Sequence, residues 1–135
     1  MKQINDKVQS IIDFLRSGMN KIGKVNIENV VVNHTFHDAA VSPGDGVELI
    51  VGDKKTLTIE IYGSSTSRKI NFYAKGDSDT LRPLIGINLS TFELGTSTTG
   101  NGELWQFDIT GLKSVIMQLE SVTAGYVTVK GKVVA

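Results

Sequence analysis

The stretch from Leu104 to Val134 reads LWQFDITGLKSVIMQLESVTAGYVTVKGKVV and carries three strand signals with little loop between them. In each signal, apolar side chains occupy every second position, which places them on one side of a pleated strand. These positions are Trp105, Phe107 and Ile109, then Val115, Met117 and Leu119, then Val127, Val129 and Val133. We therefore predict a β-meander with one apolar face that a second sheet must cover.

Shorter strand signals precede this stretch and are separated by turn residues. Alternation and apolar runs predict strands at 26–34, 47–51, 56–62, 69–75 and 84–89. Turns or loops rich in Gly, Ser, Asn and Asp are predicted around them, at 42–46, 52–55, 63–68, 76–80 and 95–102. We interpret 52–55 as a hairpin connection and 95–102 as a mobile linker or an exposed tip. Short strands at this spacing are typical of a sandwich or a barrel.

The predicted fold is an all-β, jelly-roll-like β-sandwich spanning residues 26–135, with an immunoglobulin-like sandwich as the alternative. One α-helix, within residues 1–25, precedes the sandwich. Its apolar residues follow heptad spacing, with Gly18 in one seam position: Ile4, Val8, Ile11, Leu15 and Ile22. Such a helix either packs on its own domain or joins several copies in a short coiled coil, in which case these five are the oligomerisation residues. Gly18 costs roughly 1 kcal/mol of helix stability relative to alanine, so the sandwich would have to help hold the copies together.

The composition argues against several classes of function. Lysine plus arginine equal aspartate plus glutamate, 14 of each, so no net charge attracts nucleic acid or an acidic membrane. The absence of cysteine excludes a disulfide, a thiolate zinc site and a cysteine nucleophile. No apolar run approaches the roughly 20 residues of a membrane span, and the N-terminus lacks the apolar core of a signal peptide. We expect synthesis in the host cytoplasm and no nucleic-acid or membrane partner.

The motif search favours a protein that is not an enzyme and holds no metal or cofactor. His34, His37 and Asp38 would suit a metal, but a spacing of three in an extended segment directs the two rings to opposite faces, so polar turn residues are expected at 34–40. Asp77 and Asp79 are spaced like the start of a calcium loop, but the late glutamate of that loop is missing. No serine-hydrolase elbow and no phosphate-binding glycine loop occurs in the sequence.

Binding residues are easier to nominate than catalytic ones. Tyr62, Tyr73 and Tyr126 fall on the polar phase of their strands, where exposed rings can stack on sugar faces or fill contacts between copies. Arg68 and Arg82 could donate hydrogen bonds to a ligand beside them. Trp105 shares the phase of Phe107, so we expect it in the core and not on a ligand platform.

Three segments resemble a group of small β-sandwich proteins from tailed phages and prophages of Gram-positive bacteria. The segments are TIEIYGSSTSRKINF at 58–72, IGINL at 85–89, and QFDITGLKSVIMQLESVTAGYVTVKG at 106–131. The resemblance covers roughly residues 55 to 134 and contains no catalytic motif. It implies a virion structural protein, as head decoration, head fibre or tail accessory, that contacts other virion proteins. It favours a homo-oligomer, a trimer first. The alternative is a carbohydrate-binding module that recognises the host cell wall.

Overall fold

The computed structural model of the protein describes residues 31–135, which form eleven β-strands. The predicted helix, its five oligomerisation residues and the domain boundary at residue 26 lie outside the described residues. The strands are β1 Val31–Ala40, β2 Leu49–Ile50, β3 Thr56–Tyr62, β4 Ser67–Lys75, β5 Arg82–Pro83, β6 Gly86–Asn88, β7 Leu94–Gly95, β8 Ser97–Thr98, β9 Glu103–Asp108, β10 Ser114–Thr123 and β11 Val127–Val134.

The strands form two antiparallel sheets that enclose one hydrophobic core. The six-stranded sheet has the order β1-β11-β3-β9-β6-β7. The five-stranded sheet contains β2-β10-β4-β5 in that order, with β8 also paired to β4. The core draws its buried side chains from both sheets. The described part of the chain is therefore an all-β sandwich, as the alternation predicts.

Aromatic rings connect the two sheets at the centre of this core. Phe72 of β4 lies 5.0 Å from Trp105 and 4.9 Å from Phe107 of β9, measured between ring centroids. Tilted and edge-on pairs at such distances contribute about 0.5–1.5 kcal/mol beyond the burial of their area. Trp105 is 5% exposed, so the prediction that it is a core residue is confirmed. The alternation of β3 adds three fully buried side chains beside these rings, Leu57, Ile59 and Ile61.

The predicted meander at 104–134 is wrong in its pairing, although the buried positions are right. β9 and β11 belong to the six-stranded sheet, whereas β10 belongs to the facing sheet. The crossing is fixed by backbone hydrogen bonds on either side of the turn. Ile109 N–H donates to Lys55 O at 2.8 Å, and Lys113 N–H donates to Lys75 O at 2.9 Å. Alternation reports which face of a strand is buried, and both sheets bury one face against the same core.

The connection at 52–55 is also not a hairpin, because β2 and β3 lie in different sheets. The predicted strand 47–51 shortens to β2, since Val47 N–H instead donates to Phe36 O of β1 at 2.9 Å. The predicted strand 84–89 shortens to β6, and β5 lies just before it at Arg82–Pro83. Leu84 N–H donates to Phe72 O in the five-stranded sheet, whereas Asn88 pairs with β9 in the other sheet.

A β-bulge in β1 turns two consecutive side chains toward the core. Thr35 pairs with Lys130 and His37 pairs with Val129, so Phe36 is the extra residue between two pairs. Phe36 is fully buried and His37 is 6% exposed. The strand also continues to Ala40, so the prediction of polar turn residues at 34–40 is wrong.

The bulge changes the relation between the two histidines as well. His34 and His37 both lie opposite inward-facing positions of β11, not on opposite faces as a regular strand would require. Their rings nevertheless bond to separate groups. Nε2 of His34 lies 2.9 Å from the carbonyl O of Val47, and Nε2 of His37 lies 2.6 Å from the carbonyl O of Met117.

The His37 ring occupies a gap in the strand ladder beside β10. On the side of β10 away from β4, β2 pairs as far as Val115, and Gly44 forms a bridge to Leu119. Neither partner reaches Met117, which lies between those positions. His37 supplies the donor there, and because a carbonyl oxygen only accepts, Nε2 must carry the hydrogen.

We expect His37→Ala to lower the free energy of unfolding by about 2 kcal/mol, because it leaves a buried carbonyl without a donor and removes a buried ring. His34→Ala is the matched control. Its hydrogen bond to Val47 is exposed, and the expected loss is below about 1 kcal/mol. Urea unfolding followed by tryptophan fluorescence measures both. Equal losses for the two variants would contradict the role of His37 in the ladder.

Candidate functional site

The outer face of the six-stranded sheet contains a groove of about 580 Å³. We call it the sheet groove. It is lined by Asn33, His34, Thr35, Thr58, Ile59, Glu60, Tyr62, Leu104, Lys130, Gly131 and Lys132. The strands β1, β11, β3 and β9 supply these residues, so four segments distant in sequence build one surface.

Two rows of side chains run across the groove, perpendicular to the strands. One row is Thr35, Lys130, Glu60 and Leu104, and the other is Asn33, Lys132, Thr58 and Gln106. Opposite side chains in a row have Cβ atoms about 5 Å apart, and the rows lie about 7 Å apart along each strand. The groove therefore presents two ammonium groups, one carboxylate, amides and hydroxyls within reach of a single ligand.

Gly131 takes the inward position between the two lysines. A Cβ atom at Gly131 would lie 2.9 Å from Cδ1 of Leu57 and 3.0 Å from Cε2 of Phe36. The core therefore fills the space that a side chain would need. Lys130 and Lys132, on either side, are exposed on the opposite face.

Lys130 and Lys132 of the groove take part in none of the ion pairs found among residues 31–135. Those pairs are Lys54–Asp53, Lys69–Glu120, Lys75–Glu48 and Lys113–Asp79. Glu60, the carboxylate of the groove, is also outside them. Two lysines and one glutamate leave the groove with a single excess positive charge.

Two of the three predicted ligand-contact tyrosines lie at one end of the sandwich, and Tyr73 lies on the other sheet. Tyr62 is half-buried in the sheet groove, and Tyr126 is 39% exposed in the loop before β11. Ser65 N–H donates to Tyr126 O at 3.1 Å, which ties that loop to the one after Tyr62. Tyr73 and Arg82 belong to the five-stranded sheet, in β4 and β5. The structure therefore brings together Tyr62 and Tyr126 at one end of the sandwich, and separates them from the other pair.

Arg68 is not available to a ligand, which corrects its prediction as a contact residue. It is 8% exposed, and its guanidinium is occupied by hydrogen bonds to neighbouring loops. Nε donates to Ser65 Oγ at 2.8 Å, Nη2 to Ser65 O at 2.7 Å and Nη1 to Thr99 O at 3.0 Å. Arg68 shares the strand phase of buried Ile70, which was the signal in the sequence that it faces inward.

The segment 95–102 is folded against the sandwich, so its prediction as a linker or exposed tip is wrong in part. It contains β8, and it is held by the carboxylate of Glu103. That carboxylate accepts hydrogen bonds from Asn88 Nδ2 at 3.2 Å, Thr98 Oγ1 at 2.5 Å and Trp105 Nε1 at 3.2 Å. Sequence reasoning missed Glu103, although it shares the phase of Trp105. With three donors in place, the carboxylate orders the loop.

A second charged cluster lies where β4 ends and β10 begins. Glu48 accepts a hydrogen bond from Ser114 Oγ at 2.5 Å and pairs with Lys75 Nζ at 3.1 Å. The Ser114 hydrogen bond, followed by that of Lys75, lowers the pKa of Glu48 below its ordinary value. The Asp79–Lys113 pair at 2.6 Å lowers the pKa of Asp79 and raises the pKa of Lys113.

The described residues contain no group of three or more His, Asp or Glu side chains that could hold a metal ion. Asp79 of the suggested calcium loop is paired with Lys113 instead. Asp108, beside the groove, accepts a hydrogen bond from Thr110 N–H at 3.0 Å, which lowers the pKa of Asp108. Within residues 31–135, no helix has the length and apolarity needed to cross a membrane.

Residues 31–135 are thus a small β-sandwich of two antiparallel sheets with a polar groove on one face. The XepA family model matches residues 30–133, and the chain belongs to the XepA family. The SPbeta prophage-derived protein YomS of Bacillus subtilis is 48% identical over 114 residues, which span 80% of this chain and 96% of YomS. The PBSX protein XepA of the same organism is 31% identical over 134 residues, 98% of this chain but 48% of XepA.

Two solved structures share the fold. The crystal structure of YomS has a TM-score of 0.75 and covers 78% of this chain and 93% of its own. That of the PBSX exported protein XepA has a TM-score of 0.77, with 33% identity, and covers 78% of this chain and 38% of its own. The chain thus spans nearly all of one relative and under half of the other. The resemblance to prophage β-sandwich proteins is confirmed.

Acid should weaken the fold through the paired carboxylates. The pKa values of Glu48 and Asp79 are lower in the folded state, so their ionised forms stabilise it above the ordinary carboxyl pKa of about 4. That contribution disappears as the pH falls through the lowered values. We expect the urea midpoint to fall between about pH 5 and pH 3, and to fall less in Glu48→Gln/Asp79→Asn. Glu93→Gln, which removes an exposed carboxylate outside these pairs, should keep the wild-type slope. A double variant with an unchanged slope would refute this prediction.

Proposed function

We propose that the protein is a structural component of a phage or prophage particle and acts by assembly, not by catalysis. The observation that carries this is the coverage of the relatives. The same sandwich makes up nearly all of YomS and under half of XepA. A domain used alone in one prophage protein and within a longer chain in another behaves as a building block. Head decoration, head fibre and tail accessory positions all suit such a block.

The strand order supports classing this block as a jelly roll. With β6, β7 and β8 set aside, the other strands pair from the outside inward: β1 with β11, β2 with β10, β3 with β9, and β4 with β5. A long hairpin wrapped into two sheets produces this nesting. In the immunoglobulin order the first strand lies beside the second, and that pairing is not present among residues 31–135.

Assembly through both the N-terminal segment and the sandwich is the second part of the proposal. The heptad-spaced positions Ile4, Val8, Ile11, Leu15 and Ile22 are the assembly residues, and the sandwich contributes further contact between copies. The neutral net charge is consistent with close association of copies. A particle-bound location follows from this proposal. Among the relatives, XepA is described as an exported protein.

Light scattering of the full chain and of a version beginning at Asn26 tests assembly. We expect the full chain to have three times the 14.6 kDa mass of one chain, unchanged on dilution, and the shortened chain to be a monomer. Ile11→Asp/Leu15→Asp should act like the truncation, because charges in a coiled-coil seam oppose association. Ile50→Asp, at an exposed apolar residue of β2, is the matched control. A monomeric full chain would refute homo-oligomeric assembly.

Recognition of host wall glycan is the second candidate function. It is favoured by the half-buried ring of Tyr62 in a groove lined by hydrogen-bonding side chains, with Tyr126 at the adjoining end. Aromatic faces of this kind stack on sugar rings. A glycan-binding tip and a structural role are compatible, since a surface protein of a particle can carry both.

Retention on purified cell-wall polysaccharide tests this candidate. We expect binding to fall by about tenfold in Tyr62→Ala and less in Tyr126→Ala, because only Tyr62 lies within the groove. Tyr73→Ala, on the other sheet, is the control and should bind like the wild type. Absence of retention on every wall fraction would refute glycan recognition. Release of soluble sugar fragments from the wall would refute the proposal that the protein is not an enzyme.

A further inference from the structure

The sheet groove carries positive charge that the fold leaves uncompensated. Neither Lys130 nor Lys132 belongs to the ion pairs of residues 31–135. Glu60 lies directly opposite Lys130, whereas Lys132 lies opposite Thr58 and Asn33. An anion in the groove therefore gains charge-assisted hydrogen bonds without displacing an internal partner, and it gains most at Lys132.

The rest of the groove consists of groups that bond to hydroxyls. Asn33, Thr35 and Thr58 line it, and Gln106 continues the row of Thr58, to which its Nε2 donates at 3.4 Å. These are neutral donors and acceptors of the kind that orient polyols and sugars. The half-buried Tyr62 also lines the groove.

From this combination we propose that the sheet groove binds a polyhydroxylated polyanion, a chain of polyol or sugar units joined by phosphodiesters. Lys130 and Lys132 contact the phosphodiester oxygens. Glu60 and the neutral side chains accept and donate hydrogen bonds to the hydroxyls between phosphates. This inference rests on the glycan-recognition candidate and names its ligand class and its site, and it is independent of assembly.

The geometry favours a polymer over a single small anion. The two ammonium groups project from alternate positions of β11, about 7 Å apart at their backbones, so each can contact a separate phosphodiester of one chain. The groove is a depression across four strands and is open at the surface. A chain can therefore pass through it and contact both lysines with successive phosphodiesters.

The same geometry disfavours nucleic acid. Binding of single strands relies on several aromatic platforms for successive bases, and Tyr62 is the one aromatic residue besides His34 among those that line the groove. The carboxylate of Glu60 accepts hydrogen bonds from hydroxyls, and the sugars of a DNA strand carry none between their phosphodiesters. A polyol phosphate has hydroxyls to bond with that carboxylate and needs no stacking platform.

Fluorescence anisotropy with a labelled glycerol phosphate oligomer tests the proposal on the full chain. We expect saturable binding that weakens as salt rises, because exposed charges are screened. Lys130→Gln/Lys132→Gln should weaken binding by at least about tenfold, with Lys132→Gln the more damaging single change. Lys130→Arg/Lys132→Arg should retain binding. Lys69→Gln/Lys113→Gln removes the same charge elsewhere and is the control. A groove variant that binds like this control overturns the site.

Parallel ligands identify the chemistry. Each comparison ligand has one feature of the glycerol phosphate oligomer. Neutral dextran has its hydroxyls, single-stranded DNA has its phosphodiester chain, and phosphatidylglycerol vesicles have its glycerol phosphate group. The proposal expects each to bind at least tenfold more weakly than the oligomer, and a stronger response to any of them overturns the ligand class. Wall retention that persists in Lys130→Gln/Lys132→Gln would leave glycan recognition standing and remove this groove as its site. If the wild-type protein itself is not retained on wall polysaccharide, glycan recognition as a whole is refuted.

Discussion

The sandwich depends on how one side of β10 is completed. On its other side, β10 pairs with β4 from Ser114 to Thr123, with one register shift after Leu119. On this side, β2 and Gly44 leave the Met117 carbonyl without a strand partner. A buried carbonyl without a donor costs roughly 1–3 kcal/mol, a large share of a typical stability of 5–15 kcal/mol. The imidazole of His37 removes that cost. It reaches Met117 because the bulge at Phe36 turns it inward. Gly46, with a φ of 69°, passes so close that a Cβ atom would lie 2.3 Å from Phe36 O and 2.7 Å from the His37 ring. Bulge, ring and glycine thus tie β1 to the opposite sheet.

The connection between β1 and the opposite sheet also determines which side chains lie together on the solvent face of the six-stranded sheet. With β1 held, β11 lies inside the six-stranded sheet between β1 and β3, and its lysines face the same solvent side as Thr35 and Glu60. The charges near Glu48 lie apart from this face, at the junction of β4 and β10. The sheet groove is therefore a product of register: no short motif encodes it, and its members come from residues 33 to 132.

Local alternation predicts the main core positions of the regular strands, from Leu57 to Val133, but not the burial of out-of-phase residues such as Ile116 and Thr128. It could not predict strand partners, because a strand looks the same in either of two sheets that enclose one core. It also fails where the bulge in β1 interrupts the period of two, because His37 there faces the core inside a strand and not in a turn. Arg68 carries a charge but shares the inward phase of Ile70, and at this position strand phase decides the burial. Alternation with Val129 and Val133 puts Lys130 and Lys132 on the polar face of β11, but only the register shows that they meet Asn33, Thr58 and Glu60.

The absence of a side chain at Gly131 has a consequence for how the core can vary. The bulged ring of Phe36 occupies the volume that a residue at Gly131 would claim, so the two positions share one space across adjacent strands. A larger residue at Gly131 needs Leu57 to shift and a smaller residue at Phe36, and that exchange would loosen the segment that aims His37. Sequence drift at these positions is therefore coupled: each constrains the other, although they stand 95 residues apart.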